Sequence, residues 1–314
     1  VVNQDPNWER QLLEKLATAA LVEQRRARQW KIFFRLIWLL LIGLLISAIW
    51  SARHEETRLS ALADGKHTAL IELQGPIDSE NDSANKLVQG LEHAFDDSGT
   101  RGIVVRANSP GGSPVLSGEA YDELLRLRKL HPGVPVVFVV EDMCASGCYY
   151  IASASDKIYA DKASLVGSIG VISAGFGFTG VMDKLGIQRR LMTAGSNKAM
   201  GDPFSPQNPA HEAIKRELID GIDRQFVKAV KNGRGARLKN DPELFSGRVW
   251  LGDEAVALGL ADGLGSVRSV ARDVIGAPEL VDYTQEEDFP SRVARHLGVE
   301  FFGAVKSVFS PRFF

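Results

Sequence analysis

Residues 143–153, MCASGCYYIAS, place a small serine, Ser146, where a buried strand turns into a helix. The upstream run 135–140, PVVFVV, is continuously apolar, which suits a strand covered on both faces of a parallel sheet; Glu141 and Asp142 are expected to end it. From Ser146 onward the residues are small or aromatic and lack proline as far as Ala154, so a helix can begin at Ser146. A hydroxyl there lies beside free backbone N–H groups and the positive end of the helix dipole, surroundings that stabilise negative charge on an attacking serine. The same position also suits a plain N-cap serine.

A serine nucleophile needs a base and a pair of donors for the developing oxyanion. The loop at 108–114, NSPGGSP, joins a buried strand to a helix, and Gly111 and Gly112 allow backbone conformations that aim successive N–H groups at one point. One donor would come from Gly111 or Gly112 and the other from Gly147; alternatively the Pro-Gly-Gly is simply a turn. No histidine stands in a suggestive setting. His93 and His131 have charged neighbours, and His211 opens a charged helix. Lysine remains. Lys198, in TAGSNKAMGDPF at 193–204, is surrounded by small uncharged residues, and burial would favour the neutral amine that a base requires. Against this stands the ordinary surface position of a lysine. Ser168, in VGSIGV, can orient that amine through its hydroxyl or can merely pack in a Gly-rich strand.

These residues need a scaffold. From residue 67 onward, strand-like and helix-like segments alternate, as in a parallel sheet with helical crossovers. Strands are expected at 68–73, 102–106, 135–140, 157–160 and 166–173, and helices at 83–95 with Ser83 as N-cap, at 115–130, at 208–231, and ahead of Gly259.

The balance of 37 basic and 39 acidic residues gives no reason to expect a nucleic-acid partner. The two cysteines, Cys144 and Cys148, flank Ser146 four residues apart; on one helix their side chains are poorly directed at each other, so free thiols are expected. Two cysteines without clustered histidines make a poor metal site, and neither metal nor cofactor is expected. Residues 32–50, IFFRLIWLLLIGLLISAIW, hold one charge, Arg35, and read as a transmembrane anchor; the competing reading, a cleaved signal peptide, would need an unusually long n-region and lacks a clean small-x-small site after the apolar core. The basic flank before it directs the N-terminus to the cytoplasm and the bulk of the chain across the membrane. The expected organisation is a basic helical segment at 1–31 that can lie on membrane lipid, the anchor at 32–50, a linker at 51–66, a catalytic domain at 67–275 and a Phe-rich appendage at 276–314.

The segments LQGPI at 73–77, NSPGGS, ASGCYYIA, VGSIGVI, SNKAMGDPF and GRVWLGDEA, in that order, resemble the signal peptide peptidase A family of membrane serine proteases. The resemblance covers about residues 68–266 and implies the spiral α/β fold shared with Clp proteases and crotonases, a Ser146 nucleophile and a Lys198 general base. It also implies signal peptides or other membrane-proximal apolar peptides as substrates, on the outer side of a bacterial cytoplasmic membrane. The family often has glycine where this chain has Cys148. With a single copy of the domain, the chain looks like the half-length form, which implies an octameric homo-oligomeric ring whose sites take serine and lysine from adjacent subunits. Other readings are a protease dedicated to one membrane protein, a non-proteolytic membrane scaffold and, on fold alone, an acyl-CoA enzyme.

Overall fold

Residues 28–45 and 65–285 are described by the computed structural model, and they belong to two units, Val1–Ala63 and Asp64–Phe314. The first unit contributes α1, residues 28–45, an exposed helix in which Trp30 packs on Phe33 and Phe34. Among the described residues no helix is long and apolar enough to cross a membrane. The expected anchor runs on into 46–50, which lie outside the described residues, as do the linker up to residue 64 and the Phe-rich end.

The second unit is a mostly parallel α/β sheet. In chain order it comprises β1 (His67–Gln74), α2 (Ser83–Asp96), β2 (Thr100–Ser109), α3 (Pro114–Leu130), β3 (Val136–Ala145), α4 (Gly147–Ala152), β4 (Lys157–Ala160), β5 (Leu165–Gly167), α5 (Thr179–Lys184), α6 (Pro209–Arg234), β6 (Val249–Leu251), α7 (Gly252–Leu258), β7 (Gly263–Leu264) and β8 (Leu280–Asp282). The main strand order is β6-β5-β3-β2-β1-β8, with β4 on β3 and β7 on β4; only β6 runs antiparallel to its neighbour. The run Val136 to Val140 is buried throughout, because one face of the sheet packs on α2 and the other on the helical segment around Val270. Each such aliphatic side chain contributes roughly 1.5–3 kcal/mol on burial.

Several expectations change. Glu141 and Asp142 do not end β3. They lie between two pairings, Val137–Val140 with β4 and Met143–Ala145 with β5, so one strand serves two neighbours in succession. The strand expected at 166–173 stops at Gly167, since Ser168 turns to φ 50°. Asp82, not Ser83, occupies the N-cap position of α2, and the Ser83 hydroxyl donates to Pro76 O instead. The sheet also continues past residue 275, where β8 adds to β1.

Candidate active site

The parallel ladder between β3 and β5 ends at the pair Ala145 and Gly167. Ser146 is the next residue, and its N–H donates to Gly167 O at 2.9 Å. There the chain adopts φ 52°, ψ −122°, outside the regions favoured by residues with a side chain. This is a sharp strand-to-helix turn with a serine at its apex. Although Ser146 stands at the N-cap position of α4, its side chain makes no capping hydrogen bond, and the plain capping role is therefore absent.

The α4 helix has six residues, too few to hold itself, and its two tyrosines anchor it to different neighbours. Tyr149 is fully buried and donates to Leu260 O at 2.8 Å; burial raises its phenol pKa. Tyr150 packs between Tyr121 of α3 and Phe226 of α6, with ring centroids 5.2 and 5.0 Å away.

The NSPGG loop closes over this helix start. Gly111 has φ 89°, and a Cβ there would lie 2.5 Å from Gly147 N and 2.8 Å from Ser146 Cβ, so only glycine permits this approach. A Cβ on Gly147 would strike Ser117 Oγ and come within 3.2 Å of Gly112 N. Gly111, Gly112, Ser146 and Gly147 thus form one cluster. Among the described residues, neither the Gly112 nor the Gly147 N–H has an acceptor, while the Gly111 N–H is taken by Ser109 Oγ at 3.1 Å. Ser109 was missed in reading the sequence, although a serine two residues ahead of a glycine in a turn is a known signal for such a bond.

Cys144 and Cys148 form a disulfide, with a Cα separation of 5.2 Å. The expectation of free thiols fails because the two residues do not share a helix: Cys144 belongs to β3, Cys148 to α4, and the turn at Ser146 folds one back towards the other. Both cysteines are fully buried.

Ser168 stands beside Ser146, one step past the Ala145–Gly167 pair, and its N–H donates to Arg248 O at 2.8 Å. Lys198 stands in a turn of the segment between α5 and α6, where its N–H donates to Gly195 O at 3.2 Å. It is exposed in the single chain, and its ammonium makes no hydrogen bond or ion pair among the described residues. The surrounding segment is folded on itself: Phe178 stacks on Phe204, and Arg189 pairs with Asp202 at 3.3 Å. His211 at the start of α6 lies 3.2 Å from Ser196 O, a tie to the Lys198 turn that its charged neighbours did not suggest.

A hydroxyl at a strained turn beside two unpaired N–H groups has the parts of an acyl-transfer centre. The model of peptidase family S49 matches residues 128–275, which include Ser146, Ser168 and Lys198. An Enterococcus faecium protein named as a signal peptide peptidase SppA is 33% identical over 62% of this chain and 56% of its own length. A Synechocystis protein named as a protease is 31% identical over 74% of this chain and 83% of its own. A Brucella abortus protein named as the Na(+)/H(+) antiporter NhaA is 45% identical over 59% of this chain, which spans only a quarter of that relative. The chain belongs to peptidase family S49, the signal peptide peptidase A family.

Proposed function

We propose that the chain is a membrane-anchored serine endopeptidase with a Ser146/Lys198 dyad, acting on signal peptides or other membrane-proximal apolar peptides. The observation that carries this reading is Ser146 at φ 52°, held beside the unpaired N–H groups of Gly112 and Gly147. Neutral Lys198 takes the hydroxyl proton as Ser146 attacks the peptide carbonyl, and the oxyanion is held by the two glycine N–H groups. Lys198 then protonates the leaving amine, with Ser168 orienting its nitrogen, and water releases the acyl-enzyme.

Lys198 is exposed in the single chain, so its role as base calls for a neighbouring surface that covers it. The segment that carries it exposes Ile172 at 91%, Phe176 at 82% and Met192 at 96%, apolar surface suited to a second copy of the chain. This favours the half-length ring, with the lysine of one subunit meeting the serine of the next, on the spiral fold of the Clp proteases. The buried disulfide favours an oxidising compartment for the domain and so supports the outer side of the membrane.

A second reading, a protease dedicated to one membrane protein, is favoured by the 45% identity to the antiporter-named Brucella relative. The deciding experiment is labelling with a fluorophosphonate followed by peptide hydrolysis in wild type, Ser146→Ala and Lys198→Ala. Loss of label and turnover in a folded Ser146→Ala protein supports the enzyme; retained turnover there removes the nucleophile assignment.

A further inference from the structure

We infer that Ser109 is a positioning residue that selects which N–H of the glycine loop faces the substrate carbonyl, an inference that rests on the reading of Ser146 as nucleophile. Ser109 ends β2 and is fully buried, opposite Cys144 in the ladder to β3. Its Oγ accepts the Gly111 N–H at 3.1 Å. On the other side of the loop Ile77 is equally specific: its N–H donates to Gly111 O at 2.9 Å, and its carbonyl accepts from Ser113 N at 2.7 Å. The N–H groups before and after Gly112 and the carbonyl of Gly111 are therefore all occupied. The Gly112 N–H is the donor the loop leaves over.

The site thus uses Gly112 with Gly147, and Gly111 serves by its shape alone. Without the Ser109 hydroxyl, the Gly111 N–H would be unsatisfied in a buried setting, which is costly. Rotation of the Pro110–Gly111 peptide towards water relieves that cost and carries the Gly112 N–H off its aim. Bound substrate would be held as before, because the displaced donor acts on the oxyanion more than on the ground-state carbonyl.

The test compares Ser109→Thr, which keeps the acceptor, with Ser109→Val, which has nearly the same shape and lacks it; Ser109→Ala serves as a smaller second acceptor-free variant. The valine and alanine proteins are expected to lose about tenfold or more in kcat with KM nearly unchanged, consistent with a weakened oxyanion donor. A peptide aldehyde, whose adduct oxygen sits where the oxyanion forms, should lose affinity by the same factor as kcat/KM. The threonine protein should keep turnover. Wild-type kcat in either folded acceptor-free variant, or a loss residing only in KM, overturns the inference. Failure of the underlying reading is seen separately, as turnover retained in Ser146→Ala.

Discussion

Cys144 and Cys148 are joined across the serine that lies midway between them, so the end of β3 and the start of α4 are covalently tied around the turn at Ser146. The tie spans four residues of sequence and encloses the one residue of this segment with positive φ. A strained turn persists only where its surroundings over-determine it. Here a covalent bond joins the hydrogen bond from Ser146 N to Gly167 O in that task.

For this disulfide, thiol titration of the unfolded, unreduced protein should find no free thiol. The double variant Cys144→Ala/Cys148→Gly should lose about 2 kcal/mol of stability in denaturant titrations, the scale for closing so short a loop. Fluorophosphonate labelling of Ser146 should slow in that variant. Two titratable thiols in that unfolded, unreduced protein would remove the tie.

Gly147 is predicted to tolerate no side chain. Alanine there would drive its Cβ into Ser117 Oγ and against the Gly112 N–H, parting the two donors. Gly147→Ala should fold yet turn over roughly a hundredfold more slowly, as for loss of one oxyanion donor. Unchanged kcat would show that the two N–H groups do not act together.

Stability should fall on the acid side for two reasons. Asp262 is partly buried, which by itself raises its pKa, but hydrogen bonds from Arg234 and the Ile158 N–H, with the charges of Arg234 and Arg237, hold it below the usual carboxylate range. His67 is held below the ordinary histidine value by burial, against the opposing pull of Asp97. A group with a lowered folded pKa contributes stability above its unfolded pKa and loses it as pH falls. The melting temperature should therefore drop in two stages, first below about pH 6.5 for His67 and again below about pH 4 for Asp262. Asp262→Asn, which strands the buried Arg234, should cost about 3 kcal/mol and make the second stage smaller. A flat profile from pH 7 to 3 would contradict both assignments.

If neighbouring subunits share each site, co-expression of Ser146→Ala with Lys198→Ala chains should restore activity that neither variant has alone. Random assembly of equal amounts returns about a quarter of the sites. Verified mixed assemblies without activity would place both residues within one chain.

The sequence alone determined the parts. The apolar run before Ser146, the absence of proline after it, the paired glycines at 111–112 and the alternation of strands with helices are local patterns, and the structure forms a strand, a helix and a tight loop at those places, though with other ends for β3 and β5. What only the tertiary structure decided depends on which distant segment each part meets. Glu141 and Asp142 remain within β3 because β4 and β5 pair with its two halves. Cys144 and Cys148 bond because the chain reverses between them, and the Gly112 N–H is left free because Ser109 and Ile77 occupy its neighbours. Lys198 shows the same limit one level higher, for its uncharged neighbours in sequence did not bury it within one chain. Propensity and spacing are properties of a short stretch, whereas register, close approach and burial are properties of pairs of stretches brought together by folding.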